Sequence, residues 1–332
     1  MNRTILTMFA LYFLTMGISA QTTNQNEQEI KIVIDDSAAR YVLENPKEAI
    51  KERNQIWGAY EGYRITKVWH EGSNYPLTWK FWDRGLEKIT NSDTLLAHKS
   101  LKLINDIRSL ETLGHDNIVN HLASYLPQKT NFDAFVYFVA FTAPYAFTIE
   151  QNKIGIDITG HEWHFDPNCL MNIIIHEMYH VGYKTISPDG KILSLDPKNY
   201  EQYVSYNYAY MFSEGIATHV AFKALDLFPS SYKHDDYKLM ENDQNIKNAI
   251  KSINQLNEIA KTEDIETMNQ KAWDVGVMDR AYYLAGAYMC KVIEDKFGIE
   301  CLADIVTKGG LQFTKVYNEL VMEDYKIKLI VS

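Results

Sequence analysis

The sequence is poor in cysteine, with three in 332 residues. Cys169, Cys290 and Cys301 are too few for the disulfide framework that stabilises many small secreted domains. Cys290 lies in an apolar run with helical spacing, which favours a buried free thiol, and a Cys290–Cys301 bridge is the alternative. We therefore expect packing of apolar side chains, rather than cross-links, to stabilise the fold.

Positive charge is also scarce. The chain has 33 Lys and Arg against 43 Asp and Glu, a net charge of −10, and no local cluster of basic residues. A generic nucleic-acid partner is excluded by this composition, because binding to a phosphate backbone requires a basic footprint.

Long apolar runs are missing as well. The run Ile5–Met16 has about 12 residues, short of the roughly 20 that span a bilayer, and no later segment comes close. With Arg3 before it and Gly17-Ile18-Ser19-Ala20 after it, this run predicts a signal peptide over residues 1–20, cut after Ala20; a membrane anchor is the alternative. We expect a secreted or periplasmic protein with no stable membrane insertion after cleavage.

The remaining chain divides by its hydrophobic periodicity. After a polar, disordered tail (21–30), residues 31–130 form a mainly helical part with one short strand over 31–34. Strands are predicted over 132–149 and 153–158, a helix over Pro167–Tyr183 capped by Asp166, a turn or hairpin over 186–197, and helices over 200–227 and 238–331. The expected fold class is α+β, mostly helical with a small mixed β-sheet, and residues 131–332 form its catalytic part.

His176-Glu177-Met178-Tyr179-His180 is the most specific motif, and it lies in the middle of a predicted helix. Residues four apart share a helix face, so His176 and His180 can bind one Zn²⁺ per chain. Glu177 projects beside them, where a carboxylate can act as the general base on a water molecule. The alternative is two surface histidines with a carboxylate between them, but the apolar flank Ile173–Ile175 favours a buried site.

A catalytic zinc requires a third protein ligand. The metzincin solution, a histidine six residues after His180, is excluded because residue 186 is isoleucine. Glu214 lies among apolar and small residues, where an unpaired carboxylate is costly to bury, and Gly215 and Ala217 permit a neighbouring helix to approach closely. We predict Glu214 as the third ligand, ahead of His164 or His219.

Residues His176, Glu177, His180 and Glu214, with Gly215 and Ala217, resemble the gluzincin metallopeptidases, whose pattern is His-Glu-x-x-His followed on a later helix by Glu-Gly-x-Ala. The resemblance covers roughly residues 132–320. Its carboxyl-side part, Tyr282–Tyr288 and Ile293–Gly298, looks like the helical tail of exported bacterial families described as zinc-dependent peptidases. It implies a zincin-like fold, with the sheet beside the zinc helix, and a peptide or protein substrate.

The chain departs from the thermolysin pattern in two respects. The interval from His180 to Glu214 is longer, and Thr218 stands where that pattern has the aspartate that orients a zinc histidine, so Asp166, Asn172 and Thr218 are all open as orienting residues. The segment His161–His164 is a possible second metal site, although a loop beside the cleft is the favoured interpretation.

A peptidase also needs a group that stabilises the developing oxyanion, commonly a tyrosine on the carboxyl-side helices. Tyr210 and Tyr283 are the candidates, with simple core packing the alternative for each. The sequence thus predicts an exported zinc metallopeptidase. The alternatives are a non-catalytic zincin-fold module that binds peptides or glycans, which would not need Glu177, and a zinc amidase acting on a non-peptide substrate.

Overall fold

The computed structural model describes residues 29–73, 77, 79–91, 94–160, 163, 165–195 and 197–329. The predicted signal peptide (1–20), the predicted tail up to residue 28, and both His161 and His164 lie outside the described residues.

A four-stranded mixed sheet supports the site. Its strands are β1 (Ile30–Asp35), β2 (Phe132–Val139), β3 (Ala146–Ile149) and β4 (Lys153–Asp157), in the order β1-β2-β4-β3. β1 and β4 run parallel to β2, with Ile32 opposite Ala134 and Tyr137 opposite Gly155. β3 is antiparallel to β4 and forms one edge of the sheet, so one side of its backbone is not paired with another strand.

Helices make up most of the chain. In order they are α1 (Ser37–Glu44), α2 (Pro46–Lys51), α3 (Arg53–Ala59), α4 (Glu61–Gly72), α5 (Lys80–Asn91), α6 (Thr94–Ser124), α7 (Pro167–Ile186), α8 (Asp189–Leu193), α9 (Tyr200–Lys223), α10 (Asp235–Met240), α11 (Asp243–Ile259), α12 (Ile265–Ala272), α13 (Ala281–Phe297), α14 (Ile299–Val306) and α15 (Gly310–Asn318). The predicted α+β class, mostly helical with a small mixed sheet, is confirmed.

Helix α7 is the central element. The side chain of Asp166 accepts hydrogen bonds from the backbone N–H groups of Asn168 and Cys169, and Pro167 occupies the first turn, so the helix begins where predicted. It packs against β2, β3 and β4 on one side and against α6 and α9 on others. This position between the sheet and the helices buries most of its residues, including Glu177 and His180.

The connection between α7 and α9, where a turn or hairpin is predicted, contains the short helix α8. The carboxylate of Asp189 accepts hydrogen bonds from the Tyr183 hydroxyl and from the Gly310 backbone N–H at 2.7 Å. These hydrogen bonds connect α8 to α7 and to α15.

Helices α9 and α13 approach each other closely at a pair of glycines. A Cβ added to Gly215 would lie 2.3 Å from Gly286 Cα, so neither position has room for a side chain. The close approach expected at Gly215 is confirmed, and Gly286 is its partner. This contact brings α13 against the helix that carries Glu214.

Buried apolar side chains from both sides of residue 130, such as Trp82, Leu103, Phe138 and Ile174, belong to one hydrophobic cluster. The division into two parts at that residue stays a prediction. All three cysteines are free thiols. None of the described helices combines the length and hydropathy needed to cross a membrane.

Candidate active site

Three side chains of metal-ligating residue types converge on one point between α7 and α9. The Nε2 atoms of His176 and His180 are 3.1 Å apart, and Glu214 Oε2 lies 3.4 Å from the first and 3.2 Å from the second. Within the described part of the chain, this is the one set of three His, Cys, Asp or Glu donors that meets in this way. The helical spacing of His176 and His180 accounts for their convergence, and Glu214 meets them from the neighbouring helix α9.

The donor set fits zinc in both chemistry and spacing. Imidazole nitrogen and carboxylate oxygen bind Zn²⁺ at about 2.0–2.2 Å, so ligands at the corners of a tetrahedron lie about 3.3 Å from one another. The three observed separations, 3.1, 3.2 and 3.4 Å, cluster around that value. Three protein ligands leave a fourth corner for water or substrate, as catalytic zinc sites require.

Charge within the site holds Glu214 ionised. Burial alone would raise the pKa of this carboxyl group, but the adjacent His180 and His176 lower it well below its usual range. A carboxylate that is buried and ionised needs a cation beside it. The two histidines can supply that positive charge, and a metal cation bound by all three side chains would supply it instead.

Glu177 lies next to the donor set on α7 and is 8% exposed. Its carboxylate accepts a hydrogen bond from the Thr148 hydroxyl on β3, with Oγ1 to Oε2 at 2.6 Å. The edge strand therefore fixes the rotamer of Glu177, which would otherwise be free to turn within the cleft.

Ser213, immediately before Glu214, orients one of the histidines. Its hydroxyl lies 3.1 Å from Nδ1 of His180, which leaves Nε2 pointing at the donor site. The three residues predicted for this orienting role make other contacts, or none, within the described part of the chain. Asp166 caps α7, the side-chain amide of Asn172 donates to two backbone carbonyls, and the hydroxyl of Thr218 is buried without a partner among the described residues.

His219 lies outside the donor set. Its Nε2 atom is 2.5 Å from a carboxylate oxygen of Glu294 on α13, and Lys223 is 2.8 Å from the other oxygen of that group. This network, buried at His219 and partly exposed at Lys223, joins α9 to α13. His219 therefore has a packing and ion-pairing environment and is not directed at the candidate zinc position.

Tyr283 on α13 lies beside His176, with the two rings nearly parallel at 13° and their centroids 6.2 Å apart. The Arg280 guanidinium lies 3.2 Å from the centroid of the Tyr283 ring and forms an ion pair with Asp236 at 2.5 Å. Burial and Glu214 raise the pKa of Tyr283 while Arg280 lowers it, and the net effect is a raised pKa. The hydroxyl therefore stays protonated and available as a hydrogen-bond donor.

Tyr210, one turn before Glu214 on α9, also lines the cleft. Its ring lies 5.2 Å from that of Tyr282 and 5.6 Å from that of Tyr206, centroid to centroid. Burial, followed by Glu214, raises its pKa well above the usual value. Both predicted tyrosines thus reach the same cleft as the donor set, from α9 and from α13.

The cleft has a volume of about 1280 Å³, large enough for several residues of a peptide. Aromatic side chains form much of the wall supplied by the amino-terminal half, among them Trp57, Trp69, Trp82 and Phe147. The loop 141–145 and residues 146–148 of β3 also line the cleft. Asp157 holds this loop, accepting hydrogen bonds from the backbone N–H groups of Phe141 and Thr142.

The family model described as "Putative zinc dependent peptidase (DUF5700)" matches residues 85–326. The chain belongs to this family. The match includes the donor set, Glu177, Tyr210 and Tyr283, and it reaches beyond the region of the gluzincin resemblance to take in α6 and most of α5. No curated protein and no solved structure gave a match to the chain.

Sequence reasoning missed two polar residues that contact the side chains of this candidate site. Ser213 stands next to Glu214, but serine in a helix gives no local signal of its partner across the helix interface. Thr148 sits in a predicted strand, where threonine is common for its branched side chain, so nothing in the pattern distinguished it. Only the pairing of β3 with β4, and the packing of the sheet on α7, brings it to Glu177.

Proposed function

We propose that this protein is an exported zinc metallopeptidase that hydrolyses peptide bonds. His176, His180 and Glu214 bind one Zn²⁺ per chain, and Glu177 is the general base. The proposal rests chiefly on one observation: a donor triangle of zinc dimensions lies directly beside an oriented, buried carboxylate. Membership of a family described as zinc dependent peptidases supports the same reaction class.

The roles of the residues follow from their positions. Zinc, when bound, supplies a Lewis acid that polarises the substrate carbonyl. Glu177 accepts the proton of the attacking water and then delivers it to the leaving amine, which is the work of a positioned general base and acid. Thr148 and Ser213 hold Glu177 and His180 in place, so that little reorganisation is required during the reaction.

The edge strand β3 offers a binding site for the substrate backbone. Residues Ala146 and Thr148 line the cleft, and the side of β3 opposite β4 is not paired within the described sheet. An extended peptide can add to such an edge through backbone hydrogen bonds, which gives affinity with little dependence on sequence. It would then lie across the donor set.

Tyr283 is the favoured donor to the oxygen that becomes negatively charged, because its ring lies parallel to that of a zinc ligand and its hydroxyl remains protonated. Tyr210 is the alternative. Export is proposed from residues 1–20, and amino-terminal sequencing of protein recovered outside the cytoplasm should start at Gln21.

The function is tested by digesting a peptide library with zinc-loaded wild type and with Glu177→Gln. The variant should keep its zinc and its fold but lose hydrolysis by several orders of magnitude, because an amide cannot accept the proton of water. Glu201→Gln, an exposed carboxylate on α9, is the matched control and should retain full activity. Hydrolysis by Glu177→Gln at the wild-type rate, or none by the wild type, would contradict the proposal.

A further inference from the structure

Three Lys and Arg residues of the described chain line the cleft: Lys184, Lys233 and Arg280. Two of them are already paired with carboxylates. Lys233 lies 2.5 Å from Glu241, and Arg280 lies 2.5 Å from Asp236. No carboxylate oxygen of the described residues lies within the 4.0 Å of an ion pair with Lys184. Lys184 is thus a cleft-lining lysine with no carboxylate partner among the residues that the structure describes.

Lys184 occupies a defined place relative to the donor set. It follows His180 by four residues and therefore lies about one turn further along the same face of α7, about 6 Å along the helix axis. Tyr210 and Ser213, which lie on α9 just before Glu214, line the cleft with it. The Lys184 side chain therefore lines the same cleft as the donor set, where the scissile bond would lie.

The electrostatic setting of Lys184 is unfavourable in the free protein. Its side chain is partly buried, and this burial lowers the pKa of the ammonium group. The charges that oppose this effect come from Glu177 and Glu214, neither of which is in contact with it. Both are committed elsewhere in the proposed reaction, Glu214 to the metal and Glu177 to the proton of water. A further anion in the cleft would relieve the cost of burying Lys184.

We propose that Lys184 binds a carboxylate of the substrate, and that the site selects peptides bearing a carboxylate within about three residues of the scissile bond. This limit of about three residues is the length of one helical turn plus that of a lysine side chain, divided by the roughly 3.3 Å that each residue of an extended peptide spans. The preference in cleavage rests on the proposed function, whereas the binding of a carboxylate by Lys184 does not depend on it. With a net charge of −10, the protein as a whole does not attract anions, so the selection must be local to Lys184.

Two kinds of carboxylate present the same chemistry. A carboxyl terminus at Lys184 would make the enzyme an exopeptidase that releases one to three residues. An Asp or Glu side chain would make it an endopeptidase with an acidic preference at one subsite.

The test measures retention of peptides by the zinc-loaded Glu177→Gln protein, which should bind without cleaving. Acetylated random heptapeptide pools are used in four forms, with a free or amidated carboxyl terminus and with or without Asp and Glu. At least one carboxylate-bearing pool should be retained about 10-fold to 100-fold more strongly than the amidated pool lacking Asp and Glu, as expected for a charge-assisted hydrogen bond. The pool retained identifies which carboxylate is bound.

Lys184→Met in the same background should abolish the difference between pools, while Lys233→Met, the matched cleft lysine that is already paired, should preserve it. Equal retention of all four pools, or a preference that survives Lys184→Met, would overturn the proposal. Absence of hydrolysis by the wild type would instead refute the proposed function, and it would leave the retention result standing.

Discussion

Replacing Gly286 with alanine tests whether the close approach of α9 and α13 sets the geometry of the donor set. A Cβ at this position would lie 2.3 Å from the backbone oxygen of Met211 and 2.6 Å from Gly215 Cα. Carbon atoms in contact lie about 3.5–4.0 Å apart, so the helices must separate by about 1 Å. Both obstructing atoms belong to the backbone and cannot rotate away.

The loss of stability can be worked from these distances. Overpacking costs about 1–3 kcal/mol, and a backbone clash belongs at the upper end of that range. Alanine recovers about 1 kcal/mol through its better helix propensity. We therefore expect Gly286→Ala to lower the free energy of unfolding by about 2 kcal/mol.

The same displacement should weaken the metal site. Glu214 precedes Gly215 on α9, and metal–ligand distances tolerate changes of only about 0.2 Å. A shift of about 1 Å in this helix should reduce zinc affinity about 10-fold or more, as measured by competition with a chromogenic chelator. Urea unfolding provides the stability measurement.

The matched control is Gly58→Ala in α3, where an added Cβ meets no atom within 4 Å. This variant should be unchanged or more stable by up to about 1 kcal/mol, with normal zinc affinity. If Gly286→Ala is as stable as wild type and binds zinc equally well, the inference that these glycines set the site is wrong.

Three further predictions concern single side chains. Glu294→Gln should lower the free energy of unfolding by about 2 kcal/mol at neutral pH. Burial raises the pKa of Glu294, but His219 and Lys223 outweigh this effect and lower the pKa to about 2. The stability difference from wild type, measured by urea titration, should therefore shrink as the pH falls from about 4.5 towards 2. Thr148→Val should reduce kcat about 10-fold or more with zinc content unchanged, and Thr148→Ser should restore it; an unaltered kcat would show that the hydroxyl does not position Glu177. Tyr283→Phe should lower kcat about 100-fold with little change in KM, and a loss confined to Tyr210→Phe would transfer the role to Tyr210.

The sequence predicts those elements whose signals are local. The cap at Asp166-Pro167 marks the start of α7 to the residue, and the aromatic and β-branched runs after Phe132 correspond to β2, β3 and β4. The helical spacing of His176 and His180 requires only that this helix forms, so their convergence could be anticipated. Glu214 could be proposed as a zinc ligand because burying a carboxylate is costly unless a cation compensates its charge.

The features that sequence could not supply depend on contacts between distant segments. The strand order β1-β2-β4-β3 places β3 at the edge beside the cleft, and no local pattern encodes that order. The short helix α8 lies where a turn or hairpin is predicted, and its Asp189 bonds to Tyr183 and to Gly310, 121 residues later, a contact that no local pattern indicates. Lys184 was likewise inconspicuous, since a lysine near a helix end is ordinarily interpreted as a favourable interaction with the helix dipole.

The most direct test of the account is anomalous X-ray diffraction at the zinc absorption edge from crystals of the zinc-loaded protein. We predict one strong peak per chain, about 2.1 Å from Nε2 of both His176 and His180 and about 2.0–2.2 Å from a carboxylate oxygen of Glu214. A peak bound by His164 or His219 with the Glu214 carboxylate more than about 5 Å away, or no peak at the donor set, would contradict the account.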